Sequence, residues 1–342
     1  MDLWFGLDPV ARKLLGYTGL IVISLLAGYG CRKLSMLGER TSRGLMTFIA
    51  VFGYALIQLF ALWGLPLTRD LVFLPILGGA NVLIMFAIGM ILARKISTDA
   101  EERGIFAISS GLTNTGVTMG GLVLLAFYGE QALGWMSVYC IISMPIVIGI
   151  VYPLCRHYSP AFKESGQKLG KLMLSSVFDW RSIGFGTAIT GLVLNFTLGH
   201  ESRPAFVETY HIIDWIVYGT IVMAFFAIGL RTSLRHGKHI VRLIMMTALV
   251  RFILAGLVAI GLILITLAFF ELSQFIINVI LIESIMPVAV TMVAAANMFR
   301  LNTKVASTLF VVNTLMFLAF VLPVVYIIFQ VVGYGTLEGA TP

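Results

Sequence analysis

The sequence predicts an all-α polytopic membrane protein of ten transmembrane helices, two inverted five-helix repeats in which the fourth and ninth helices are broken and cross. Three observations predict it. The 342 residues are 59% hydrophobic and 11% charged, with a mean hydropathy of +0.99, well above the roughly 45–50% apolar content of a globular chain. Ten apolar stretches approach or exceed the ~20 residues that cross ~30 Å of hydrocarbon. Two of them are interrupted near mid-membrane, at Gly111-Leu112-Thr113-Asn114-Thr115-Gly116 and at Glu283-Ser284-Ile285-Met286-Pro287.

The first span covers residues 14 to 34. It follows Asp2 and Asp8 rather than a basic leader and small-residue cleavage site, so it is expected to stay in the protein. Spans two to five, at 44 to 63, 71 to 93, 104 to 127 and 132 to 155, complete a first repeat, residues 1–155. Residues 156–182 are the longest polar stretch and read as a cytoplasmic linker. There Phe162, Leu169, Leu172, Met173 and Val177 alternate with Lys163, Lys168 and Lys171, as in an amphipathic surface helix or a solvated connector beside anionic lipid. Spans six to ten, at 183 to 199, 210 to 230, 240 to 270, 274 to 298 and 304 to 332, fill the second repeat, residues 183–342. Because five is odd, the second half enters the membrane in the opposite sense, which makes the fourth and ninth spans equivalent. Phe86-Ala87-Ile88-Gly89 also recurs as Phe226-Ala227-Ile228-Gly229. It joins spans three and seven, which run parallel, and reads as a coincidence of small and apolar residues.

Of the 23 Lys and Arg, 18 flank the odd-numbered loops, whereas the even-numbered loops hold only Arg69 and Arg203. The odd loops are therefore expected in the cytoplasm and both termini outside, with Arg12 and Lys13 the exception. The formal charge of +7 is thus topological. A nucleic-acid-binding surface would need a soluble domain that no loop is long enough to supply. Cys31, Cys140 and Cys155 have neither ligand-like nor disulfide-like spacing. The histidines, at 157, 200, 211, 236 and 239, lie in loops or at span ends, and no zinc-protease pair or P-loop occurs, so no metal is expected. An enzyme would need a nucleophile and a base within reach. Ser284 beside Glu283 is the one such pair, without a histidine at its depth, and an enzyme is not expected.

At a rise of ~1.5 Å per residue, Asn114 lies about 15 Å and Arg251 about 16 Å from the cytoplasmic face, with Glu283 roughly 13 Å from the other. All three converge on the middle of the bilayer. Charges at that depth cost roughly 2.5 to 3.5 kcal/mol on insertion scales and normally face a partner or an aqueous cavity. Two readings stay open: Arg251 as an anion contact with Glu283 as a gating or proton-linked acid, or the two as a structural ion pair. Pro287 removes a backbone donor and clashes with the Glu283 carbonyl, giving a kink or a full break. In the fourth span Gly111, Gly116, Gly120 and Gly121, with Thr113, Asn114, Thr115 and Thr118, indicate either a break or close helix packing. If both helices break, half-helix N-termini meet at the centre and favour an anion, with Asn114, Thr115 and Ser284 adding hydrogen bonds. Asn81 and Asn313 are singled out as further cavity residues, while Gln58, Asn195, Asn278 and Asn297 read as interhelical hydrogen bonders. Broken helices at this depth are where secondary transporters hold substrates and ions.

The run Glu283-Ser284-Ile285-Met286-Pro287-Val288-Ala289-Val290, continued by Ala306-Ser307, Asn313-Thr314 and Leu322-Pro323, resembles the ninth and tenth helices of the auxin efflux carrier family of bacterial and plant permeases. Thr113-Asn114-Thr115-Gly116-Val117 resembles that family's first crossover, although many members carry a proline where this chain has Gly120-Gly121. The family is related to the bile acid/auxin transporter superfamily, and the chain is also similar, more distantly, to the bile acid sodium symporter fold. The resemblance implies two inverted repeats, a scaffold group and a mobile group of helices, and elevator-type movement of a small organic anion, a carboxylate. It carries over Asn114 and Pro287 as crossover residues and makes a homodimer plausible. Beyond a coupling ion, proton or sodium, no cofactor is expected. The expected partners are the anion and the lipid of a bacterial inner (cytoplasmic) membrane.

Overall fold

Lipid offers the backbone no hydrogen-bond partner, so a chain this apolar closes its bonds within helices. The structure, a computed structural model, describes residues 7–164, 168–177, 182–232 and 239–332 and is 83% helix, with no strand among the described residues. Helix α1 is Pro9–Lys33. The Asp8 carboxylate accepts from the amides of Val10 and Ala11 at its start, and Arg32 and Lys33 occupy its last turn, as the helix dipole favours. Next come α2, Glu39–Trp63, and α3, Arg69–Ile96. The fourth apolar stretch is two helices, α4, Ala100–Gly111, and α5, Gly120–Tyr128. The fifth is also divided, into α6, Gln131–Cys140, and α7, residues 143–158. Pro145 accounts for that second division, because it removes a donor and clashes with the carbonyl of Ile141.

Then follow α8, Ile183–Leu198, α9, Ile212–Gly229, and α10, Ile240–Leu267. The ninth stretch is broken into α11, Gln274–Ser284, and α12, Val290–Met298, before α13, Thr303–Val331. Among the described residues six helices, α1, α2, α3, α9, α10 and α13, are by length and composition able to cross a membrane, and α8 and α11 are shorter apolar helices. Single π-helical turns interrupt α2 at 49–54, α7 at 147–151, α10 at 250–254 and α13 at 317–321. In the linker, Pro160–Glu164 and Leu169–Val177 are short helices. Phe162 departs from the surface position expected of it: it is buried against Phe299, ring centroids 4.8 Å apart. Both chain ends, and with them the expected placement of the termini, lie outside the described residues.

The helices pack in two groups. In one, α1 lies against α9 and α2 against α8. The other assembles α3 to α7 and α10 to α13 around the broken segments, and α6 also touches α2. A Cβ on Gly229 would come 3.0 Å from the Cα of Gly28 at the α1–α9 crossing, and one on Gly89 would come 2.6 Å from the Cβ of Ser110 where α3 meets α4. The glycine that ends each copy of the repeated Phe-Ala-Ile-Gly sequence is thus the small residue that a close crossing requires.

Candidate functional site at the helix crossover

A helix opened inside a membrane must find partners for the backbone it exposes, and here the two open segments supply each other. α4 stops at Gly111, where a Cβ would meet the Phe86 ring at 2.5 Å, and Leu112 is extended at φ −82°, ψ 117°. α11 stops at Ser284, just before Pro287. The Asn114 amide donates to the Pro287 carbonyl at 2.7 Å and the Ala289 amide to the Leu112 carbonyl at 3.1 Å. These bonds form an isolated antiparallel bridge between Thr113 and Val288. Gly116 then turns the chain at φ +86°, a left-handed value that favours glycine. The amides of Gly120 and Gly121 donate to the carbonyls of Asn114 and Gly116, at 3.2 and 2.6 Å, as α5 begins. The Val288 amide donates to Asn313 Oδ1 at 3.0 Å. Much of the opened backbone expected to attract an anion is thus already bonded to protein.

The two half-helix N-termini differ. Neither α5 nor α12 has a side-chain cap. At α5 the Glu283 carboxylate lies over the first residue, so that a Cβ on Gly120 would fall 2.5 Å from Glu283 Cδ. Glu283 is fully buried and neither of its oxygens has a hydrogen-bond partner among the described residues. A carboxylate placed there takes the favourable end of the α5 dipole for itself. At α12, Ala289, Val290 and Thr291 instead line a cavity of about 240 Å³. The Ala289 amide is taken by Leu112 O and that of Met292 by Ala289 O, which leaves the amides of Val290 and Thr291 as this terminus's donors beside its partial positive charge.

That cavity lies between the two helix groups. Residues 112–118 and Ser137, Tyr139 and Cys140 of α6 face it from one side, Tyr54 and Gln58 of α2 with Gly184 and Phe185 of α8 from the other. Among the described residues no charged side chain lines it. Asn114 is 3% exposed; its Oδ1 accepts from Thr118 Oγ1 at 2.9 Å and its Nδ2 has no partner among the described residues. Thr115 lies beside it in the wall, its hydroxyl 3.5 Å from the Thr113 carbonyl and within hydrogen-bond reach of the Cys140 thiol.

Other expected site residues are placed elsewhere. Arg251 neither lines the cavity nor pairs with Glu283. It projects from the π-helical turn of α10 and donates to Ser110 O at 2.9 Å, Ser284 O at 2.5 Å and Met286 O at 3.1 Å. The guanidinium therefore ties together the C-terminal ends of α4 and α11, where carbonyls lack partners and the dipoles favour a cation. Ser284 is buried, with its hydroxyl donating to Leu281 O at 2.8 Å. Asn81 donates to Ala255 O at 3.1 Å, and Asn313 serves the Val288 amide, so neither expected cavity residue is in the cavity wall. Gln58, read as an interhelical hydrogen bonder, does line it, with a buried Oε1 that has no partner among the described residues. A lone amide in apolar α2 was the available signal for it. Tyr54, Cys140 and Thr291 carried none. Among the described residues no three His, Cys, Asp or Glu side chains gather as a metal ion would require.

Residues 18–177 match the family model described as a membrane transport protein. The match takes in the first crossover and covers just under half of the chain; it supports a role in membrane transport. No curated protein matches the sequence at a significant level.

Proposed function

We propose that the chain is a secondary carrier of small organic anions, carboxylates above all, working by an elevator-type alternation of the crossover site. In this reading the ten apolar segments form two inverted five-helix repeats, with the odd loops on the cytoplasmic side of a bacterial inner membrane. α1, α2, α8 and α9 form the scaffold, and the group holding both crossovers moves against it. The observation that carries the reading is the cavity between the two groups, where the uncapped N-terminus of α12 stands with the unpaired amide of Asn114. A carboxylate suits that pairing of donors and partial charge, and the neutral walls leave a translocating anion without a countercharge to hold it fast. Asn114 and Thr115 are the proposed substrate contacts. Arg251 and Pro287 shape the crossover, as do Gly111, Gly116, Gly120 and Gly121.

Glu283 supports coupling to a cation. A fully buried carboxylate with two unpartnered oxygens is costly when charged unless a cation joins it. A proton is the first choice, because no cluster of acidic groups accompanies it. The same observation favours a second reading, sodium-coupled symport, in which opened carbonyls and the Asn and Thr oxygens serve as hard ligands.

The test is uptake of labelled mono- and dicarboxylates into proteoliposomes, with the sodium gradient, pH gradient and membrane potential varied independently. Saturable uptake driven by one gradient supports the reading. Specific binding without flux would make the protein a receptor. If Glu283 is the proton-linked acid, Glu283→Gln flattens the pH dependence of uptake, and an unchanged profile leaves Glu283 a structural group.

A further inference from the structure

The crossover cavity is one of three that adjoin. It shares Ala50, Tyr54, Val147, Val290 and Thr291 with a larger space of about 610 Å³. That space shares Arg231, Val293, Asn297 and Ser307 with a third, of about 330 Å³, at the ends of α1, α9 and α13. Their shared walls place the three in series from the crossover toward the odd-loop face. Charge along it is unequal. The inner cavity has no charged lining, whereas Arg43 lines the middle one, Arg231 both outer ones, and Arg32 and Lys304 the mouth, with Glu39 the single acid among them.

A topological surplus of cations needs only that Lys and Arg stand in the odd loops, snorkelling to water. These four line a concave space, and one is not free to snorkel. Arg231 is half-buried, and its Nε is shielded from solvent without a partner among the described residues. Burial lowers its pKa from the ordinary arginine value, with Glu39 acting against that shift and Arg43 adding to it. Arg32 already spends Nη1 on the Thr232 carbonyl at 2.8 Å, which holds the end of α1 against the end of α9 beside Arg231.

We infer that the mouth formed by Arg32, Arg231 and Lys304 is a second anion site, an antechamber that collects a carboxylate or phosphate group before it reaches the uncharged crossover. Low-dielectric walls around one sign of charge focus the field and raise the local concentration of the opposite ion. Arg231 supplies the desolvated donor, Lys304 a mobile point charge. The occupant is either a free anion or the headgroup of an anionic lipid. As a step on the path of a carried anion, this rests on the carrier reading; as a site, it does not.

Ser307 lines both outer cavities and is half-buried. In full-length protein with the three native cysteines replaced, Ser307→Cys is to be reacted with anionic sulfonatoethyl and cationic trimethylammonioethyl methanethiosulfonate in zwitterionic nanodiscs. Relative to a thiol on an exposed loop, the anionic reagent is expected to gain by about tenfold, the low end of such focusing. Arg231→Gln and Lys304→Gln should each reduce the gain, and Arg231→Lys should restore most of it. A ratio equal to the loop reference, or unmoved by both neutralisations, overturns the inference. Two further arms separate the sources. Loss of the gain on adding phosphatidylglycerol identifies a lipid headgroup, and slowing by millimolar succinate in zwitterionic discs identifies a free anion. If no carboxylate is carried yet the ratio holds, the site stands and the carrier reading falls. If carboxylates are carried and Arg231→Gln leaves both the ratio and KM from the odd-loop side unchanged, the antechamber falls alone.

Discussion

At the scale of single residues, the crossover depends on two charges that do not meet. Arg251 holds three backbone carbonyls that the breaks set free, and an unsatisfied buried acceptor costs about 1–3 kcal/mol. Arg251→Gln is therefore expected to lower the melting temperature of the purified protein by several degrees; an unchanged value would remove the guanidinium from the role of tie. Glu283 makes a different prediction. Gly120→Ala places a Cβ against its carboxylate and should be destabilising, whereas the same change in a Glu283→Ala background should cost much less. Equal costs in the two backgrounds would contradict the contact. Both charges were legible in the sequence because lipid makes charge at mid-membrane conspicuous. Their surroundings were not, since a count of residues gives depth but not direction around the helix axis. Arg251 turns toward carbonyls that exist only because α4 and α11 end there.

At the scale of elements, the two breaks have unlike causes. Pro287 forbids a continuous helix through the ninth stretch, and its carbonyl receives the Asn114 amide. Pro287→Ala keeps that carbonyl while allowing the helix to rewind, so melting temperature should stay near wild type and uptake should fall several-fold. Normal uptake by both Pro287→Ala and Asn114→Ala would sink the crossover as the working site. The first break has no proline. It rests on Gly111 under the Phe86 ring and on Gly116 at positive φ, where alanine would cost about 1–2 kcal/mol. Glycine in a membrane segment signals close packing as readily as a break, which is why the sequence alone left both open. The division of the fifth stretch at Ile141–Ile142 went unread although Pro145 marks it, because hydropathy does not register a turn made of apolar residues.

At the scale of the whole molecule, hydropathy identified most of where helices run: the expected apolar stretches fall largely on helix, with non-helical gaps at 112–119, 141–142 and 285–289. It carries no information on which helices pack together, so the two groups emerge only from the structure. Between them, on the even-loop face, Arg203 binds Glu130 at 2.7 Å and Glu208 at 2.5 Å. Arg203 belongs to the connection between α8 and α9, and Glu130 directly precedes α6, so this ion pair ties the scaffold group to the crossover group. The proposed elevator would have to release it to open that face. Glu130→Gln is accordingly expected to speed the reaction of Cys140 with thiol reagents applied from the even-loop side, and an unaltered rate would argue against a latch. The most direct test of the central claim uses Cys140 as well, since it lines the crossover cavity. With Cys31 and Cys155 replaced, its rate of modification by methyl methanethiosulfonate is to be followed while a transported carboxylate is titrated. The account predicts protection that saturates near the KM for uptake and is weakened by about 10- to 100-fold in Asn114→Ala, the loss of one charge-assisted hydrogen bond. A modification rate indifferent to saturating carboxylate would place the substrate site elsewhere.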